Sequence, residues 1–230
     1  MNRHQQIAER LRDVRARIAA AAQARGRDPD GIRLLAVSKT FGVEDLRAAQ
    51  AAGQGCFGES YLNEALPKIA ALTETAPEWH YIGPLQSNKT RAIAEHFAWV
   101  HSLDRLKLAQ RLSDQRPAGM PPLNVCIQVN ISGETSKSGA SLEALNDLAR
   151  AVAALPRLRL RGLMAIPAPS DDVAVQRDAF RRVREALVSL NALGFALDTL
   201  SMGMSDDLEA AIAEGATIVR IGSAIFGARS

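Results

Sequence analysis

A lysine stands where an apolar run breaks off. Residues 32–37, Ile-Arg-Leu-Leu-Ala-Val, read as a buried strand carrying one charge, Arg33, and Ser38, Lys39 and Thr40 follow. A lysine there has two readings. It is a solvated cation at the start of a loop, or its amine is partly desolvated and can condense with a carbonyl. Lys39 alone does not choose between them. Other apolar runs also end in polar or glycine residues: Glu59 and Ser60; Gly83, Gln86 and Ser87; Asn130, with Ser136, Lys137 and Ser138 beyond it; Ser201 and Gly203; Arg220, Gly222 and Ser223. Gly222 and Ser223 offer backbone N–H groups at the head of a short helix, which is an anion site or a plain helix entry. Arg220 precedes Gly222 by two residues, so both point to one side of a strand. An arginine turned toward an interior needs partners.

Eight strand-like runs must position these residues: 32–37, 56–60, 79–83, 99–103, 124–130, 158–164, 199–202 and 218–221. Helical or helix-like segments follow each: 44–52, 62–72, 89–97, a helix capped by Asp104 to about 114, one capped by Ser141 to 155, 173–193, one capped by Ser205, and a last turn in 224–229. Ile7, Leu11, Val14 and Ile18 recur at helical spacing, so an amphipathic helix precedes the first strand and ends by Gly26 and Pro29. Strict alternation implies a parallel sheet with right-handed crossovers. The expected fold is α/β, a single (β/α)8 TIM barrel with an extra N-terminal helix over residues 1–230; a doubly wound open sheet is the alternative. No linker, internal repeat or low-complexity segment divides the chain. In a barrel all eight C-terminal strand ends share one face. The loops after strands seven and eight there frequently hold a phosphate.

A nucleophilic amine, an anion site with the Ser201 hydroxyl nearby, and an arginine at one barrel mouth fit an aldehyde bearing a phosphate. Pyridoxal 5'-phosphate is such a molecule, with Arg220 toward its pyridine nitrogen. Two other motifs compete. Gly53-Gln54-Gly55-Cys56-Phe57-Gly58 matches a dinucleotide fingerprint by letter, but it follows a helix and enters a strand, the reverse of what that motif requires. Residues 83–90 approach a phosphate loop ending in Lys89 and Thr90, yet Asn88 replaces its glycine and Pro84 removes an amide donor. A nucleotide binder built on Lys89 is therefore the rival from a different class.

With 47% hydrophobic and 23% charged residues, the chain can bury one sizeable core. The net charge of +3 is mild, and Arg181, Arg182 and Arg184 sit on a predicted helix without interleaved aromatics, so no nucleic-acid partner is expected. Cys56 and Cys126 fall in apolar runs and read as packing residues rather than a disulfide or metal pair; no metal spacing is present. Residues 1–27 are charged throughout, and no run reaches spanning length. A cytoplasmic protein without a membrane partner is expected.

The runs Ala36-Val37-Ser38-Lys39, Phe57-Gly58-Glu59, Trp79-His80-Tyr81-Ile82-Gly83-Pro84-Leu85-Gln86-Ser87-Asn88-Lys89, Ser136-Lys137-Ser138-Gly139, Leu200-Ser201-Met202-Gly203-Met204-Ser205-Asp206-Asp207 and Val219-Arg220-Ile221-Gly222-Ser223 resemble the pyridoxal phosphate homeostasis proteins over nearly the whole chain. The resemblance implies a barrel like the N-terminal domain of alanine racemase. It also implies bound pyridoxal 5'-phosphate, a role in vitamin B6 balance and no established turnover. It implies a covalent aldimine on Lys39, a phosphate cradle at Ser201, Gly222 and Ser223, Arg220 facing the pyridine nitrogen and, further out, Lys137 near the mouth. The family's asparagine after the second strand is Ser60 here, which is shorter and lacks the amide, so that contact to the cofactor is in question.

A two-base racemase needs a second acid or base opposite the lysine. The tyrosines are Tyr61, at a helix start near the mouth, and Tyr81, inside a strand. Arginine holds its proton too tightly to protonate a pyridine nitrogen, which weakens the ring as an electron sink. The expectation is a non-catalytic, monomeric carrier with no catalytic residue and no metal, which hands the cofactor to apo-forms of dependent enzymes. A low-activity amino-acid racemase is the alternative.

Overall fold

The structure is a computed structural model that describes residues 2–132 and 138–228. Helix α1 (Arg3–Gln23) opens with a reciprocal cap: the Asn2 side chain accepts from the Gln5 N–H, and the Gln5 side chain accepts from the Asn2 N–H. It buries Ile7, Leu11, Val14, Ile18 and Ala22, the face its spacing predicts. A 3-10 turn at Pro29–Gly31 then leads into strand β1 (Arg33–Val37). Next come α2 (Val43–Ala51), β2 (Cys56–Glu59), α3 (Leu62–Ala71), β3 (Glu78–Tyr81), α4 (Thr90–His96), β4 (Trp99–Leu103) and α5 (Leu106–Gln115). The chain continues with β5 (Leu123–Gln128), α6 (Leu145–Ala153), β6 (Leu158–Met164), α7 (Val173–Ala192), β7 (Thr199–Ser201), α8 (Leu208–Ala213), β8 (Ile218–Ile221) and α9 (Ser223–Phe226).

All eight strands are parallel, and β8 pairs with β1, with Leu35 opposite Arg220, so the sheet closes into a barrel. The open-sheet alternative is excluded. Helix α1 packs on α2, α8 and α9, outside the seam where the barrel closes. Side chains alternate across each strand. One set joins the large apolar layer under the helices; the other fills the barrel, where Leu35, Cys56, Trp99, Cys126, Met164 and Ile218 form a separate cluster.

Several helix starts differ from expectation. Asp104 does not cap α5: Arg105 occupies the cap position, and the Asp104 carboxylate pairs with the Arg105 side chain instead. Residues 142–144 form a turn before α6, and α8 begins three residues beyond Ser205, with Asp207 at its cap position. Both cysteines are free and buried, and burial pushes the Cys56 thiol up to about 11 and that of Cys126 to about 12. Among the described residues, no helix is long and apolar enough to cross a membrane, and no cluster of His, Cys, Asp or Glu could hold a metal ion.

Candidate functional site

The C-terminal strand ends open on a cavity of about 290 Å³. Lys39 reaches it from the turn after β1, Ser60 from the end of β2, and Arg220, Gly222 and Ser223 from β8 and the start of α9. Met204, Ser205 and Asp206 line it from the β7–α8 loop; Phe41, Ile82 and Ile166 add apolar wall.

The turn that presents Lys39 is clamped on both sides. Ser38 is fully buried; its hydroxyl donates to Glu59 Oε1 at 2.6 Å, and its N–H to the Gly58 carbonyl. Thr40 has φ +71°, a left-handed conformation that a β-branched residue adopts only under constraint. The constraint is the Thr40 N–H, which donates to Glu64 Oε2 at 2.7 Å. Lys68, four residues along α3 from Glu64, donates to Glu59 Oε1 at 2.8 Å and to the Ser38 carbonyl at 2.9 Å. Helix α3 thus supplies two charged residues that grip the residues flanking Lys39. Burial raises the Glu59 carboxyl above its ordinary pKa, against the opposing pull of Lys68 and the Ser38 hydroxyl. Its Oε2 atom is buried with no partner among the described residues.

Two glycines shape the wall. A Cβ at Gly83 would lie 2.2 Å from the Ser60 carbonyl oxygen, so the loop after β3 can cross the Ser60 backbone only without a side chain. At Gly222 a Cβ would come within 3.2 Å of the Val37 carbonyl, which keeps β8 close to β1 beside Lys39. The near-match to a phosphate loop is therefore explained by packing. Gly83 is needed for the crossing, and the Ser87 carbonyl accepts from both the Thr90 hydroxyl and Arg111 Nε at the head of α4.

Arg220 is 4% exposed. Nη1 donates to the Ser201 carbonyl at 2.6 Å and the Ser201 hydroxyl oxygen at 2.9 Å, and Nη2 donates to the Ala165 carbonyl at 3.0 Å. These partners are neutral oxygens, so they fix the guanidinium without cancelling its charge. Burial lowers its pKa to about 10, which still leaves it protonated at neutral pH. Ser201 is fully buried and lies outside the cavity lining. Its Oγ sits 2.7 Å from His101 Nδ1. His101 Nε2 is 2.8 Å from His80 Nδ1, and His80 Nε2 is 2.9 Å from Glu78 Oε1. Burial lowers both imidazole pKa values, that of His101 strongly, while the hydrogen bond from His80 holds the Glu78 carboxyl below its ordinary range.

The structure therefore gathers Lys39, Ser60, Arg220, Gly222 and Ser223 around one cavity. It sets Ser201 behind Arg220, and Lys137 lies outside the described residues. The sequence pattern did not single out Asp206, Ser205, which reads there only as a helix cap, or the buried His80 and His101. Strand parity carried a signal for the histidines, because His80 shares its face of β3 with Glu78 and Ile82.

A closed parallel barrel with a lysine after β1 and an arginine on β8 defines a barrel of the alanine racemase N-terminal type. The model of the family "Alanine racemase, N-terminal domain" matches residues 7–230. The pyridoxal phosphate homeostasis protein of Pseudomonas aeruginosa is 66% identical over 223 residues, covering 97% of this chain and 96% of that one. Its namesake in Escherichia coli K12 is 57% identical over 226 residues, covering 97% of each. PipY of Synechococcus elongatus, solved with pyridoxal phosphate bound, superposes with a TM-score of 0.84 at 36% identity, over 96% of this chain and 100% of that one. The chain belongs to the family of the pyridoxal phosphate homeostasis proteins.

Proposed function

We propose that this chain binds pyridoxal 5'-phosphate in the cavity, holds it covalently on Lys39 as an imine, and buffers and supplies it in vitamin B6 homeostasis without turning over a substrate. The observation that carries the reading is the pairing, across one small cavity, of an amine with a buried guanidinium whose partners are all neutral. The Lys39 amine would hold the ligand through its aldehyde carbon, and the clamp on Ser38 and Thr40 fixes where that amine stands. Arg220 would hold the pyridine nitrogen and keep its own proton, since its pKa of about 10 lies well above that of a pyridine. The N–H groups at the head of α9, which have no acceptor within the helix, and the Ser205 hydroxyl would hold the phosphate. Ser60 contributes a hydroxyl, and Ser201 acts through Arg220. The family names of the relatives and the ligand in PipY support the same reading.

The titratable side chains lining the cavity, among the described residues, are Lys39, Asp206 and Arg220. Tyr81 is buried with its hydroxyl on the Pro84 carbonyl, and Tyr61 is 47% exposed and outside the lining. Asp206 is the group that a racemase reading would use as its second base. Solvent deuterium appearing at Cα of alanine, and lost in both Lys39→Ala and Asp206→Asn, would establish that reading; its absence supports the carrier. The carrier is a cytoplasmic monomer that hands its cargo to apo-enzymes.

Titration with pyridoxal 5'-phosphate, followed by absorbance, tests the binding. The native protein develops the imine band and Lys39→Ala does not. The loaded protein then restores activity to an apo-enzyme that depends on this cofactor. Failure to restore any such enzyme refutes the supply role.

A further inference from the structure

The polar chain beneath the cavity runs the depth of the barrel. Glu78, with its side chain 37% exposed, ends it at the face opposite the cavity, where Arg33 also donates to the carboxylate. His80, His101 and Ser201 follow, all fully buried, and Arg220 ends it at the cavity. The links measure 2.9, 2.8, 2.7 and 2.9 Å. Both histidines are held by rings: His80 lies parallel to Trp99 at 5.4 Å, and His101 packs against the same indole at 5.8 Å.

The two ends have no choice of role. An ionised carboxylate only accepts hydrogen bonds, and a guanidinium only donates. From the carboxylate end, His80 must carry its proton on Nε2. A neutral His80 then has a bare Nδ1, which accepts from His101 Nε2–H. A neutral His101 has a bare Nδ1, which accepts the Ser201 hydroxyl proton. Ser201 Oγ in turn accepts from Arg220, as the guanidinium end requires. Every link points toward Glu78. The only proton of the Ser201 hydroxyl is committed to His101, so it has none to give a phosphate.

We infer that Glu78, His80, His101 and Ser201 form a one-directional hydrogen-bond wire that positions Arg220 against the ring of the bound cofactor, with the carboxylate at the barrel floor setting its direction. His101 and His80 are positioning residues, since neither touches the cavity. The inference rests on the binding site proposed above for its effect on the cofactor, but not for the wire itself. A wire of fixed polarity resists reorientation, because reversing one link leaves two donors or two acceptors facing each other in a buried space.

Nitrogen-15 NMR of the ligand-free protein at neutral pH tests the wire directly. Both His80 and His101 should be neutral and protonated on Nε2. A proton on Nδ1 of His101, on a neutral ring facing a cationic His80 or on a cationic His101, would turn the link to Ser201 around, which overturns the inference. Glu78→Gln then removes the obligate acceptor, because an amide can present either an oxygen or an NH₂ group. His80 should lose its pure Nε2–H signature, and the absorbance maximum of the lysine-bound cofactor should shift by several nanometres. Unaltered tautomers and an unaltered maximum in Glu78→Gln would also overturn the inference. Absence of the cofactor band in the native protein would instead refute the binding proposal, leaving the tautomer result to stand on its own.

Discussion

Replacing Lys68 with alanine should destabilise the protein in a pH-dependent way. Lys68 is nearly buried, and its ammonium is the cation paired with Glu59, which is fully buried. Removing it leaves a carboxylate whose remaining partner is the Ser38 hydroxyl, with the second oxygen already unpartnered among the described residues. Breaking a buried pair from one side costs about 3–5 kcal/mol. Glu59 can limit that loss by taking up a proton. Its folded pKa is already above the unfolded value and rises further without the lysine. A group with a raised folded pKa binds more protons folded than unfolded, so stability falls as pH climbs from the unfolded pKa toward the folded one. The loss should therefore approach about 3–5 kcal/mol at pH 8 and shrink toward pH 5. Urea unfolding at the two pH values measures it. A loss below about 1 kcal/mol, or one equal at both pH values, would refute the reasoning. Replacing both partners, Glu59→Leu with Lys68→Met, should recover most of the stability, since no buried charge remains.

Gly83→Ala forces a methyl group to within 2.2 Å of the Ser60 carbonyl, and only backbone movement relieves the contact. Thermal unfolding should show a loss of at least about 1–3 kcal/mol, and cofactor titration a weaker binding, as Ser60 leaves the wall. The thiols of Cys56 and Cys126, raised to about 11 and about 12, should resist a disulfide reagent at pH 8 and react fully only in denaturant. Rapid labelling of both in the folded protein would contradict their burial.

Much of the barrel was legible because its signals are local and periodic. The β5 run of Val125, Cys126, Ile127 and Val129 and the spacing of Ile7, Leu11, Val14 and Ile18 each name an element unaided. Counting eight such units allows a barrel or an open sheet, and the pairing of β8 with β1 decides for closure. Helix starts were less legible: Asp104 has the right side chain for a cap, but the neighbouring Arg105 takes its carboxylate. At the site, parity alone set Arg220 and Gly222 on one face, and the structure turns both into one cavity with Lys39. Ser201 shows where such reasoning ends. Its type and position suit a phosphate contact, but its hydroxyl meets His101, a hundred residues earlier in the chain, and no local pattern reports that meeting. The grip of Glu64 and Lys68 on the turn around Lys39 escaped for the same reason, since it joins a helix face to a strand end through side-chain geometry.

Cofactor binding rests on Lys39. The direct measurement is borohydride reduction of the protein loaded with pyridoxal 5'-phosphate, followed by peptide mapping by mass spectrometry. A phosphopyridoxyl group is expected on the peptide containing Lys39, and its loss from that peptide in Lys39→Ala. An adduct confined to another lysine, or no adduct at all, would contradict it.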